Sequence, residues 1–409
     1  MAAAPIAKNI VVFLDGTRNR LRRDKSTNVA KLFEATPELD DPGRIQLTRY
    51  LHGVGTKPEW FERLARRDPL QRDIKKHVGR ELPWGLAPLQ FLFGTAYGAG
   101  TEARIKEAYL FICSEYDAER RDKVFVFGFS RGAFAARSLA GFIERVGLLL
   151  YEHIAHIEEA YALYESSADP AQSALAAYLV KLTDKGFPGP DSRDYVRIHF
   201  LGVWDTVAAL GVPWSDSWTA PHTQYVQLEV PPNVMNARHA LALHELRSDY
   251  EPLVWCNRNR HDSLKQVWFV GAHADVGGGY RRTESALSDI ALRWMATEAE
   301  GTGLVVDRSR GWWHPVPEPH LLHHEVRGFF AHVEPAVRAH VAGTHPLVDA
   351  SLDSFYFHQH VLRHFDDERA RDYRETAKVN EALHAADDCA LTLYLRTRLA
   401  GNDAVGDSS

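Results

Sequence analysis

Cysteine is scarce in this chain. Cys113, Cys256 and Cys389 are the only three in 409 residues, odd in number and far apart, which argues against a disulfide framework and a thiolate metal site. No apolar run approaches the ~18 residues of a membrane-spanning helix. The opening stretch, Met1 to Lys8, lacks the charged start and apolar core of a secretory leader. The expectation is a cytoplasmic protein, or one exported by a system that needs no leader. Positive charge is not in excess either: 48 Lys and Arg stand against 54 Asp and Glu, a net charge of −6, which argues against nucleic acid as a partner. The densest basic cluster, Arg18, Arg20, Arg22 and Arg23, reads as a solvated loop. Metal spacing is missing too. Neither His320, His323 and His324 nor His358 and His360 form a His-Glu-x-x-His pattern, so no metal is expected and the chemistry below calls for no cofactor.

What is present is an ordinary globular balance, 45% apolar and 25% charged, built around one stretch. Val124 to Phe127 reads as a buried strand, Gly128-Phe129-Ser130-Arg131-Gly132 as a sharp turn, and Ala133 to about Arg145 as a helix. This is G-x-S-x-G in the strand–turn–helix setting in which a serine hydroxyl is lifted above a sheet edge. The following helix aims its positive end at the turn, and the N–H of Arg131 is placed as an oxyanion donor.

Strands are also expected at Asn9 to Leu14, ending in Asp15-Gly16-Thr17, at Ile45 to Leu51, at Tyr195 to Val203, and at Val267 to Val270, the last clear core strand. Thr27 and Asn28 read as the cap of a helix through Ala35. Residues 56 to 92 read as an irregular insertion. Phe93 to Gly100 reads as a flexible, glycine-rich access loop before a helix from Glu102 to Tyr116, with glycines in neither the Walker nor the dinucleotide pattern. Residues 151 to 185 read as two helices forming a cap. Asn233 to Asp249, carrying Ala240, Leu241, Leu243 and Leu246, reads as a helix, as does Ser285 to Glu298.

A serine nucleophile needs a base, and the base needs an acid that fixes its tautomer. In α/β-hydrolases these follow in the order Ser, Asp or Glu, His, each in a loop after a strand. Ser130, Asp205 and His273 meet that order and setting. Alternatives stay open: Asp205 as a turn cap, His273 as an ordinary loop histidine, Asp275 as a rival acid or a support for the Gly277–Gly279 loop, and His199 or His261 as weaker bases. The second oxyanion donor is expected from the N–H of Gly16 or Thr17, with Asp15 holding that loop through local hydrogen bonds. An aspartyl-phosphate mechanism is disarmed, because Phe13 stands where its nucleophilic Asp belongs. Trp204, Trp214, Trp218 and Phe129 are candidates for an acyl pocket or for core.

Phe13-Leu-Asp-Gly-Thr-Arg-Asn19, Gly128-Phe-Ser-Arg-Gly-Ala133, Gly202-Val-Trp-Asp-Thr-Val207 and Gly271-Ala-His-Ala-Asp-Val-Gly-Gly-Gly-Tyr280 together resemble the motifs of an α/β-hydrolase group that includes the first class of type VI secretion lipase effectors. The resemblance implies phospholipase A-type ester cleavage with Ser130 as nucleophile, Asp205 as acid and His273 as base. It also implies a phospholipid or other acyl-ester substrate, peripheral membrane contact, and a secretion-spike or immunity protein as partner of an effector. The fold expected is α/β, hydrolase-like, with a mostly parallel central sheet and helices on both faces. A catalytic domain over 1–300 would carry the cap, and an irregular extension over 301–409 would pack on it. A small-ester, thioester or peptide hydrolase, or a non-catalytic binding module on this fold, are the alternatives.

Overall fold

The computed structural model describes residues 7–53 apart from 17, 18, 20–24 and 42, then 89–165, 196–207, 229–255 apart from 246–249 and 251, 263–309, and 355–357. Among the described residues, seven parallel strands and one antiparallel edge strand make the central sheet. In chain order they are β1 (Lys8–Leu14), β3 (Leu39–Asp41), β4 (Arg44–Leu51), β5 (Lys123–Phe129), β6 (Ile198–Trp204), β7 (Ala237–Ala242), β8 (Leu264–Phe269) and β10 (Phe355–Phe357). Their order across the sheet is β10-β8-β7-β6-β5-β1-β4-β3, with β3 the antiparallel member. A separate ribbon pairs β2 (Lys25–Thr27) with β9 (Gly278–Arg281).

Burial on both faces explains why the strands read as continuous apolar runs. Along β1, Ile10, Val12 and Leu14 enter one core, with Val124 and Val126 of β5 and with α2 (Leu89–Glu115) and α3 (Arg131–Val146). Val11 and Phe13 enter the other, with Phe125, Phe127, Trp204, α1 (Asn28–Ala35) and α6 (Ala286–Glu300). Trp204 is therefore core, while Trp214 and Trp218 lie outside the described residues. Helix α1 starts where its cap predicts, since the Thr27 hydroxyl accepts the Ala30 N–H at 3.1 Å. From β1 the chain moves outward to β4 and then returns to β5 on the other side of β1. The carboxyl ends of β1 and β5 thus flank the topological switch point, where open α/β sheets place their ligands.

Two expectations fail. Residues 237–242 form β7, a strand buried at all six positions between β6 and β8, not part of a helix. Alanine and leucine favour helix only weakly, and pairing on both sides overrides that preference. The glycine-rich stretch 93–100 lies inside α2 rather than forming a loop. Each glycine costs about 1 kcal/mol there, but the helix propagates from a segment anchored by Ile105, Tyr109 and Ile112. The strand expected at Val267 to Val270 corresponds to β8, and the three-residue β10 adds to its outer side.

In the expected cap, Tyr151–His156 forms a 3-10 turn and Ile157–Glu165 forms α4. Tyr161 and Tyr164 pack on Phe142 at 5.4 and 5.3 Å, along the second half of α3 and roughly 18 Å down its axis from Ser130. Residues 166–185 of that cap, 56–88 of the expected insertion, and all of the C-terminal extension from 310 except β10 lie outside the described residues, while 89–92 of that insertion are the start of α2 rather than irregular.

Candidate active site

The serine turn is shaped by steric exclusion. Ser130 sits at φ 57°, ψ −121°, a conformation non-glycine residues rarely adopt. Its N–H bonds the Trp204 carbonyl at 3.0 Å, which ties the turn to the end of β6. A Cβ on Gly128 would lie 2.4 Å from the Gly132 carbonyl oxygen, and one on Gly132 would lie 2.1 Å from that of Leu14. Both glycines are required for α3 to cross the ends of β5 and β1 so closely. Arg131 is the first residue of α3, so its N–H belongs to the helix's first turn, at the positive end.

Asp205 directly follows β6, fully buried and at φ 38°. One carboxylate oxygen accepts the Ala242 N–H at 2.9 Å, and its own N–H bonds the Ala240 carbonyl at 2.7 Å. The other oxygen meets Nδ1 of His273 at 2.6 Å. His273 opens the five-residue helix α5 (His273–Gly277), which follows β8. An ionised carboxylate only accepts, so Nδ1 is the donor in this bond. The two elements bearing Ser130 and His273 touch: the Phe129 ring lies 4.6 Å from the imidazole, and a Cβ on Gly277 would lie 1.8 Å from that ring. The Tyr250 ring meets the imidazole edge-on at 4.9 Å.

The rival candidates go elsewhere. Asp275 accepts the Ala272 N–H at 3.0 Å and orders its own turn. His199 sits near the opposite end of β6, bonded to the Thr302 carbonyl at 2.8 Å, with its pKa lowered by burial. Phe13 stacks on Phe127 within the core, at 5.3 Å. His261 lies outside the described residues, as do the histidines at 320, 323, 324, 358 and 360. Among the described residues no three His, Cys, Asp or Glu converge as metal ligands, and no helix is long and apolar enough to cross a membrane.

Below the turn after β1, Asp15 receives three donors: the Gly16 N–H at 2.6 Å, the Thr27 hydroxyl at 2.8 Å, and the Tyr50 hydroxyl. Burial pushes its pKa from 3.8 up to about 6 despite those bonds. The same burial, with the Asp15 charge beside it, drives the Tyr50 phenol upward. The Gly16 N–H is thus engaged by Asp15, and Thr17, the other expected donor of this turn, lies outside the described residues.

Three site residues escaped the sequence reading. His239 accepts the Thr206 N–H on Nε2 at 3.1 Å, His244 accepts the Gly271 N–H on Nδ1 at 2.9 Å, and Glu245 accepts the His273 N–H at 3.1 Å. All three belong to β7 or its tail, and reading that segment as a helix hid their place at the sheet edge. Polar residues just beyond an apolar run of strand length were the available signal.

Residues 8–298 match the family model described as T6SS, phospholipase effector Tle1-like, catalytic domain. Over 250 residues the chain is 32% identical to an uncharacterized protein, YEL023C, of Saccharomyces cerevisiae, covering 60% of this chain and 32% of that protein. Two solved structures are similar at lower identity. One is an uncharacterized protein from Pseudomonas aeruginosa, with 20% identity, TM-score 0.41, and coverage of 77% of this chain and 48% of that one. The other is the Tle1 effector bound to the VgrG spike of the type VI secretion system, with 19% identity, TM-score 0.36, and coverage of 70% and 53%. The chain spans about a third of the yeast protein's length and about half of each structure's.

Proposed function

The chain belongs to the family of Tle1-like phospholipase effector catalytic domains, and from that premise we propose that it cleaves acyl esters of phospholipids by a serine mechanism. Ser130 attacks the ester carbonyl while Nε2 of His273 takes its proton. Asp205 stabilises the imidazolium that forms. The tetrahedral oxyanion is held by the Arg131 N–H and by a backbone N–H of the turn after β1. Collapse expels the alcohol, which takes the proton from His273. Water then hydrolyses the acyl-enzyme through the same base, and no cofactor enters.

One observation carries this reading. The 2.6 Å bond between Nδ1 of His273 and Asp205 supports the tautomer a general base needs, and the ring of Phe129, next to the strained Ser130, packs on that imidazole. The proposal extends to a catalytic domain over 1–300, an extension over 301–409 packed on it, contact with a lipid surface, and a secretion spike and an immunity protein as partners.

Labelling with a fluorophosphonate, together with fatty acid release from mixed phospholipid vesicles and short acyl esters, tests it. The wild type is expected to label and to release fatty acid. Ser130→Ala should lose labelling and about 10⁶-fold in kcat. A Ser130→Ala protein that labels like wild type sinks the serine mechanism. Turnover of short esters with no release from vesicles sinks the phospholipid substrate.

A further inference from the structure

The tail of β7 runs beside the loop from which the imidazole hangs. The Leu243 N–H bonds the Phe269 carbonyl and the His244 N–H bonds the Gly271 carbonyl, both at 3.0 Å, continuing strand pairing past the end of β8. Side chains then take over. Nδ1 of His244 accepts the Gly271 N–H at 2.9 Å, and Glu245 accepts the His273 N–H at 3.1 Å. Glu245 is only 1% exposed, so its carboxylate sits within the fold beneath the helix start.

That start needs support. The first N–H groups of a helix have no partner within it, and five residues are too few to hold a direction by themselves. A carboxylate at the N-terminal end meets both needs, accepting the first N–H and complementing the end charge. The imidazole meanwhile has to reach in two directions, with Nδ1 on Asp205 and Nε2 toward Ser130. A small rotation of the His273 backbone would move the second end furthest.

We infer that Glu245 is a positioning residue, fixing the backbone of His273 so that its ring spans from Asp205 to Ser130. The inference rests on the serine mechanism proposed above. Glu245 need not touch substrate, because its carboxylate accepts the backbone N–H of His273.

The test uses the full chain, with kcat and KM on a short acyl ester, the rate of fluorophosphonate labelling, and the thermal midpoint. Glu245→Gln keeps an acceptor oxygen at the same reach and should stay within about threefold of wild type in kcat. Glu245→Leu removes the acceptor and should lower kcat and the labelling rate together by about 10²-fold, with KM moving less than about twofold. Glu245→Asp keeps the charge but falls one methylene short, and should lose about tenfold in kcat while remaining folded. If the leucine variant does not fold, the comparison of Gln with Asp decides. A Gln variant as slow as the Asp variant, or an Asp or folded Leu variant labelling at the wild-type rate, overturns the inference and leaves the serine reading standing. A wild type that does not label overturns both.

Discussion

The turn after β5 and the tail of β7 deliver groups to the same sheet edge, yet they are built from different materials. Around Ser130 the determinant is space: Gly128 and Gly132 are pressed against carbonyl oxygens, and no other residue fits. Around Asp205 and His273 the determinant is hydrogen bonding, with Ala240, Ala242, His239 and Glu245 each holding one polar group of the acid or base loop. The glycines that meet the steric requirement fall within five consecutive residues, so it leaves a local mark even though Gly132 is pressed against Leu14 of β1. A hydrogen-bond requirement is met between strands far apart in the chain, where many side chains could serve.

Of these two supporting halves, breaking the bonded one is expected to have the larger effect. Asp205→Asn should leave the protein folded but lower kcat by about 10⁴-fold, because an amide N–H facing Nδ1 forces the proton onto Nε2. Steady-state kinetics beside a native thermal transition would check it, and a loss below tenfold would mean Asp205 does not set the tautomer. On the steric half, Gly132→Ala should fail by destabilisation. Its new Cβ meets backbone on the β1 side rather than a flexible side chain, at a cost of about 3 kcal/mol or more, read from chemical denaturation. A stable, inactive Gly132→Ala protein would instead show that the turn bends without harm to the fold.

Asp15 sharpens the contrast most gently, being a bonded group inside the steric half. Its folded pKa, about 6, stands above the unfolded value of 3.8, so the folded state binds the proton more tightly. Its contribution to stability is therefore full below pH 3.8 and is lost as pH rises through 6. The loss amounts to about 2–3 kcal/mol over that window. Wild-type stability minus that of Asp15→Asn, followed across the window, should trace this decline. A flat difference would mean that Asp15 is ionised at little cost.

Much of the fold was legible. Strands β1, β5 and β6 are largely apolar on both faces, β4 and β8 end in apolar residues, and α1 announces itself through Thr27. Strand β7 was not, because Ala-Arg-His-Ala-Leu-Ala is helical in composition and becomes a strand only through its neighbours. Short pieces such as β2, β3 and β10 carry too few residues to show a period. Ser130, Asp205 and His273 could be nominated from order alone. The bond joining the last two, and the residues steadying them, depend on which strand lies next to which.

Strand β10 lies beyond residue 298, where the family match ends, yet it pairs with β8, the strand that leads into His273. A protein trimmed to the matched segment would leave the outer amides and carbonyls of β8 without that neighbour, a bare border of the kind that recruits other chains into aggregates. Boundaries drawn from similarity and boundaries drawn from folding thus disagree here, and any shortened version for expression should keep residues 355–357.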